Sequence, residues 1–301
     1  MRVLIVGCGY VGLPLGMELV RQGHQVFGLR RSAAEELESA GLTPLIADVT
    51  APATLASLPH QFDWVVNCSA SAGGAADDYR RLYLQGTRNL IAWLAAFPPK
   101  KFVYTSSTSV YGQDDGSLVK ESHPTDPQAE TAQILVETEK ELLAAAQQKQ
   151  FPAVILRVAG IYGPDRGHWF KQYLKDEARM EGNGDRLLNM IHRDDLVGVI
   201  IAALKNGRAG EIYNAVDDEP VSQFRFFEWL AGSLDKPLPP AMPAAAEANR
   251  KRGVTNKKVS NRRLKMELGY PFKYPTFRQG YTAELLRLQQ SGDPFLEPPT
   301  P

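Results

Sequence analysis

The apolar run Val3-Leu4-Ile5-Val6 ends abruptly in Gly7-Cys8-Gly9-Tyr10-Val11-Gly12, after which Leu13, Met17 and Val20 recur near helical spacing until Gly23. Strand, glycine turn and helix in that order leave few folds open. The glycines match G-x-G-x-x-G in the context where that spacing carries meaning, directly after a strand and opening a helix. Gly7 permits the tight turn, Gly9 lets the backbone approach a pyrophosphate, and Gly12 lets the helix pack closely on its strand. The helix N-terminus then faces the anion, with Tyr10 and Val11 carried in the same turn. The pattern predicts a nucleotide-binding βαβ unit; the plain alternative is a turn that only connects two elements.

Further strands are expected at Gln25 to Leu29, Pro44 to Ala47, Asp63 to Cys68, Lys101 to Thr105, Ala153 to Val158 and Glu211 to Ala215. Helical patterns run from Tyr79 to Ala96, Glu130 to Gln148 and Asp195 to Leu204. Strands that are apolar on both faces and alternate with helices argue for a parallel sheet covered on two sides. The expected fold class is therefore α/β, a Rossmann-type doubly wound parallel sheet with a smaller C-terminal cap. Residues 1–164 and about 189–217 are assigned to the nucleotide-binding domain, 165–188 and 218–290 to the cap, and 291–301, with four prolines, to a frayed tail.

With 301 residues, 44% apolar and 23% charged, the chain reads as packed and globular. Its 34 Lys and Arg cancel 34 Asp and Glu, so whole-molecule electrostatics favour neither nucleic acid nor an anionic membrane. No apolar run approaches the roughly 20 residues that span a bilayer, and the opening lacks the pattern of a secretory signal. Cys8 and Cys68, the only cysteines, are too few for a disulfide framework. Together these features predict a soluble, cytoplasmic protein. The five histidines show no ligand spacing with carboxylates, so no metal site is expected.

The end of the second strand discriminates between dinucleotides. An acid there would bond the adenosine ribose hydroxyls, whereas a phosphate on that ribose needs positive charge. The strand ends in Leu29-Arg30-Arg31-Ser32. A guanidinium can fork onto phosphate and Ser32 can add a hydroxyl, so NADP is expected in preference to NAD. The plain alternative is a pair of solvated arginines. Asp48, ending the third strand, is a candidate acceptor for the adenine amino group or, equally, a turn former.

At Tyr104-Thr105-Ser106-Ser107-Thr108-Ser109-Val110-Tyr111-Gly112 the chain resembles the extended short-chain dehydrogenase/reductase superfamily, which includes nucleotide-sugar epimerases and dehydratases. Gly86-Thr87-Arg88-Asn89-Leu90, Leu156-Arg157 with Gly160-Ile161-Tyr162-Gly163-Pro164, Ile191-His192-Arg193-Asp194-Asp195-Leu196 and Ile212-Tyr213-Asn214 look like its later landmarks, so the resemblance covers about residues 1–285. Two departures stand out. Val6 occupies the place of the first glycine in the family's G-x-x-G-x-x-G. Registering Glu121, Pro124 and Pro127 puts Thr131 at the family's tyrosine and Leu135 at its lysine, and no tyrosine lies between Tyr111 and Tyr162. In the family the lysine lowers the phenol's pKa and bonds the nicotinamide ribose; a threonine hydroxyl is too weakly acidic to replace that phenol. The pattern resembles atypical members, a bacterial branch that is epimerase-like and lacks the active-site tyrosine. Gly9-Tyr10-Val11-Gly12-Leu13-Pro14-Leu15 also looks like the opening of nucleotide-sugar dehydrogenases that use a thioester cysteine, but no cysteine follows Cys68.

Ser107, just past a strand's carboxyl end, is the residue expected to orient a substrate hydroxyl or carbonyl, with Thr108 and Ser109 beside it; capping the turn is its bland role. Thr131 is a candidate for holding a hydroxyl near the nicotinamide, or else a helix cap. Tyr111, Tyr162 and His192 are candidate replacement acids, with packing the plainer reading, and Tyr162 and His192 are also candidate substrate contacts. Cys68 reads as a buried small hydrophobe. Between Arg250 and Lys265 lie eight basic residues, Lys257 among them, and no acid. They form either a site for a substrate phosphate or carboxylate or a solvated face. Two functions remain: an NADP-dependent epimerase/dehydratase-like oxidoreductase acting on a small polar or anionic substrate, such as a nucleotide sugar, or an NADP(H)-binding sensor without turnover. Oligomeric state is not legible.

Overall fold

The computed structural model describes residues 1–32, 34–71, 73–241 and 255–291. The first half-sheet is built from β1 (Arg2–Val6), α1 (Gly12–Arg21), β2 (Gln25–Arg30), α2 (Ala34–Ser39), β3 (Thr43–Ile46) and α3 (Pro52–Leu55). β4 (Trp64–Asn67) leads into α4 (Ala76–Tyr79), a π-helical stretch Arg80–Gln85, and α5 (Gly86–Leu94). The helix expected from Tyr79 is thus one helical run starting at Ala76, with wider turns in its middle. β5 (Lys101–Ser107), a 3₁₀ turn Thr108–Val110, β6 (Leu118–Val119), α6 (Glu130–Lys149), β7 (Ala153–Val158) and β8 (Gly160–Tyr162) follow. The remainder comprises α7 (His168–Leu174), β9 (Leu187–Leu188), β10 (Met190–His192), α8 (Arg193–Asn206), β11 (Ile212–Ala215), β12 (Val221–Ser222), α9 (Gln223–Leu234), β13 (Lys258–Val259), α10 (Arg262–Leu268) and α11 (Phe277–Gln290).

Seven strands form one parallel sheet in the order β11-β7-β5-β4-β1-β2-β3. The order reverses between β1 and β4, and in open α/β sheets the crevice at the carboxyl ends of such strands takes ligands. Alternation along β1 explains the two layers. Val3 and Ile5 join Leu15 and Leu19 of α1 and Val199 and Ile200 of α8 on one face. Leu4 and Val6 join Leu90 and Leu94 of α5 and Leu142 of α6 on the other. The doubly wound, Rossmann-like architecture is what the apolar runs required.

A third cluster lies outside the sheet. Phe170 and Leu174 of α7, Phe226, Phe227 and Leu230 of α9, and Phe277, Tyr281 and Leu285 of α11 make a separate aromatic core. Residues 262–272 fell in the span read as cap, yet Leu264 and Leu268 of α10 are buried in the cluster of α1 and α8, against the sheet domain. The basic residues Arg250, Lys251 and Arg252 and the proline-rich tail after Ser291 lie outside the described residues. Among the described residues no helix is long and apolar enough to cross a membrane.

One buried ionic network ties α6 to the sheet. Arg157 of β7 donates through Nη2 to Glu139 Oε2 at 2.7 Å and through Nη1 to the Tyr111 hydroxyl at 2.9 Å, while Ser106 Oγ donates to Glu139 Oε1 at 2.6 Å. The Tyr111 hydroxyl donates in turn to Asn214 Oδ1 at 2.8 Å. Removing one member strands the opposite charge away from water, so Glu139→Gln is expected to lower unfolding stability by about 3–5 kcal/mol. Urea denaturation of the variant beside the parent chain measures this; an unchanged midpoint would show the network to be dispensable.

Candidate functional site

The glycine turn and the segment after β4 touch more closely than side chains allow. Gly7 has φ +89°, and a Cβ there would sit 2.6 Å from the Ser69 backbone. A Cβ on Gly12 would meet the Gly7 carbonyl oxygen at 2.3 Å. Gly9 differs: nothing lies within 4 Å of its Cβ position, so its backbone faces open space. α1 starts beside it after Val11, which makes no side-chain cap bond. Free helical N–H groups and a bare backbone face together are what a diphosphate requires.

That open space belongs to a cavity of about 1560 Å³ running along the carboxyl ends of the sheet. Ordinary small-molecule pockets hold roughly 300–1,000 Å³, so this one has room for a dinucleotide and a second ligand. Gly7, Gly9, Tyr10, Val11, Arg30, Arg31, Ser32, Asp48, Ser107, Thr108, Thr131 and Tyr162 all contribute to its walls. His192 does not.

At the β2 end the two arginines are unlike. The Arg30 guanidinium is engaged by Glu36 of α2. Arg31 is exposed at the rim and, among the described residues, has no carboxylate within ion-pair distance, as Ser32 follows it into solvent. Positive charge for a ribose phosphate therefore resides in Arg31 more than in Arg30. Asp48 Oδ1 accepts from the Thr50 N–H and hydroxyl, both at 2.8 Å, which is the turn-forming role. Burial alone would raise its carboxyl pKa, but the Thr50 bonds and the nearby Arg31 charge outweigh this and hold it below the usual range.

Tyr10 is fixed from outside the turn. Its hydroxyl donates to the Pro164 carbonyl at 2.9 Å, and the guanidinium carbons of Arg166 and Arg193 lie 4.9 and 5.4 Å from its ring centroid. The loop after β8 is thereby clasped to the glycine turn. Sequence reading overlooked Arg166, because nothing local links it to a tyrosine so far upstream. Cys8 is buried, which pushes its thiol up to about 12, and burial raises Cys68 too; neither is a nucleophile at neutral pH.

β5 runs two residues beyond expectation and ends on Ser107 itself. Its Oγ accepts from the Ser109 N–H at 3.1 Å, capping the 3₁₀ turn, while the hydroxyl proton stays available at the cavity wall. Thr131, Ala132 and Leu135 of α6 line the same cavity. Thr131 is not the helix cap: Ala129 is, without a side-chain bond, and Thr131 is the second helical residue. Leu135 is buried and packs with Val110 and Tyr111. No ammonium stands at that position.

The three candidate acids differ in their surroundings. Tyr111 is locked into the Arg157 and Asn214 network. The ring of Tyr162 borders the cavity, but its hydroxyl turns toward α11, where a Cβ on Gly280 would lie 2.1 Å from it; burial raises its pKa strongly. His192 is 1% exposed and its Nδ1 accepts from the Asp194 N–H at 3.1 Å as the N-cap of α8. His192, expected as a substrate contact, has its ring held inside the protein by this capping and is not among the residues that line the cavity. Lys257 stands out instead. It borders the cavity at 4% exposure and donates to the Tyr111 carbonyl at 2.8 Å and to Thr255 Oγ1 at 2.9 Å. Burial, and then the Arg186 charge, bring its pKa down to about 8. Among the described residues no group of three or more His, Cys, Asp or Glu could hold a metal.

Comparison with known proteins agrees with this layout. A sequence profile of the NAD dependent epimerase/dehydratase family matches residues 3–215. Protein YeeZ of Escherichia coli K12 is 27% identical over 286 residues, covering 91% of this chain and 96% of the relative. A solved structure from Methylobacillus flagellatus, described within the NAD-dependent epimerase/dehydratases, is 34% identical with a TM-score of 0.76, covering 96% of this chain and 98% of its own. DesIV of Streptomyces venezuelae, a dTDP-glucose 4,6-dehydratase solved with NAD and TYD, superposes with a TM-score of 0.83 at 21% identity, covering 98% and 100% of the two chains. That last likeness is one of fold.

The glycine geometry separates packing from binding. Gly12→Ala is expected to lower unfolding stability by about 1–3 kcal/mol through overpacking, whereas Gly9→Ala should leave it within about 0.5 kcal/mol. Thermal unfolding of both variants decides this, and equal losses would contradict the contacts described.

Proposed function

Because the chain belongs to the NAD-dependent epimerase/dehydratase family, we propose that its cavity binds NADP(H) and that the protein is an oxidoreductase acting on a small polar or anionic substrate. The observation that carries this reading is the open face of Gly9 beside an uncapped helix N-terminus, with Arg31, which has no ion-pair partner among the described residues, at one end and Ser107 at the other. β2 and β5 are separated in the sheet by β1 and β4. Three strand steps of about 4.8 Å give roughly 14 Å, a span that a dinucleotide crosses with its pyrophosphate over the glycine turn.

The residues divide the work accordingly. Gly7, Gly9 and Gly12, with Tyr10 and Val11, shape the pyrophosphate cradle, and Tyr10 is held by Pro164 and Arg166. Arg31, with Ser32 and the partly engaged Arg30, takes the ribose phosphate, and Asp48 lies on the adenine side of the same wall. A bound nicotinamide supplies hydride exchange. Ser107 orients a substrate oxygen by donating its free hydroxyl proton, and Thr108 extends that polar wall. Thr131 gives one further hydroxyl without taking over the tyrosine's role in proton exchange. Titration of NADPH and NADH is expected to give about tenfold tighter binding of the phosphorylated form, with Arg31→Gln removing most of that preference. Gly9→Ala should weaken both dinucleotides without loss of stability. Equal affinities in the parent chain would refute the NADP assignment.

A second reading rests on Thr131 and Leu135, which stand in the cavity wall where the family pattern has a tyrosine and a lysine. On that reading the protein senses NADP(H) without turnover. A panel of carbonyl and alcohol substrates with NADPH or NADP discriminates: the oxidoreductase reading expects turnover that Ser107→Ala lowers at least tenfold. Turnover indifferent to that substitution contradicts the role given to Ser107.

A further inference from the structure

We infer that Lys257, Arg186 and Thr255 form a subsite for a carboxylate, so that the substrate is a small organic acid. The inference deepens the substrate assignment above and rests on it.

Lysine is almost never fully buried without a counter-charge, because desolvating an ammonium is costly. Lys257 is nevertheless 4% exposed, and its two bonds go to neutral oxygens, the Tyr111 carbonyl and the Thr255 hydroxyl. Among the described residues no carboxylate stands within ion-pair distance of it. An ammonium has three N–H donors, so one is left without a partner among the described residues, on a residue that borders the cavity.

The second cation is anchored to the same residue. Arg186 Nε donates to the Thr255 carbonyl at 3.4 Å, and its Nη1 donates to Glu181 Oε2 at 3.0 Å. Glu181 thus holds one edge of the guanidinium, and the Nη2 edge carries no bond to a described residue. Arg186 also borders the cavity, and its charge is felt at Lys257. One N–H from each cation matches the two oxygens of a carboxylate, whereas a diphosphate presents more oxygens than this pair can satisfy. The place fits a substrate group and not the cofactor: Tyr111 follows the turn after β5, across β1 and β4 from Arg31.

The test is calorimetric titration of the full chain, ligand-free and NADPH-loaded, with acetate, succinate and glutarate, with the corresponding amides, and with inorganic phosphate and UDP. At least one carboxylate should bind, its amide at least tenfold more weakly. Lys257→Gln, which keeps a donor for the Tyr111 carbonyl but loses the charge, should weaken carboxylate binding at least tenfold and leave NADPH affinity unchanged. Arg186→Gln, a second variant in case the first misfolds, should act in the same direction. Failure of every carboxylate to bind, equal binding by Lys257→Gln, or tighter binding of phosphate or UDP would overturn the inference. If NADPH fails to bind, the cofactor reading falls by itself, while the ligand-free arms still decide the carboxylate site.

Discussion

The site depends on how closely two strand ends approach one another. β1 and β4 are neighbours at the point where the sheet order reverses, and the segments leaving them meet backbone to backbone, with Gly7 against Ser69 and Gly12 against the Gly7 carbonyl. Side chains at either position would force the turn away from β4 and close the floor of the cavity. With both bare, the first turn of α1 packs close to the strand ends, beside the open face of Gly9. Everything downstream uses that geometry: the arginine rim at β2, the serine wall at β5, and the Tyr10 ring that receives Arg166 and Arg193.

The start of α6 lines the cavity with Thr131, Ala132 and Leu135, and Leu135 is held by packing. Leu135 lies in a cluster with Val110, Tyr111 and Val136, and Tyr111 in turn is held by Arg157 and Asn214. A buried ion pair of Arg157 with Glu139 anchors the helix that bears Thr131 and Leu135 to the sheet. A buried positive charge borders the cavity at Lys257, bonded to the carbonyl of the same Tyr111 whose ring packs in the cluster of Leu135, and burial weakens its hold on the proton.

Features governed by local rules were legible in the sequence. The apolar strands, the glycine turn and the helices of β1 through β7 follow from periodicity and turn chemistry, which act over a few residues. The extra two residues of β5 were missed because Ser106 and Ser107 are polar, and Ser106 is paid for only by Glu139, which lies 33 residues away. The unlike fates of Arg30 and Arg31 were half visible: Glu36 sits in the first turn of α2, six residues on, but which arginine it takes depends on the strand's pleat. Nothing local marks His192 as a helix cap instead of a ligand contact, nor α10 as part of the sheet domain. Lys257 was visible only as one of many basic residues, since its burial comes from contacts with Tyr111 that no spacing encodes.

The central claim is that the Gly9 face is a dinucleotide site whose phosphate-reading group is Arg31. Crystallography of the chain grown with NADPH tests it most directly. Density for the pyrophosphate over Gly9, the 2′-phosphate against Arg31 and the nicotinamide beside Ser107 is the predicted result. A dinucleotide bound elsewhere, or an adenosine ribose turned away from Arg31, would contradict it.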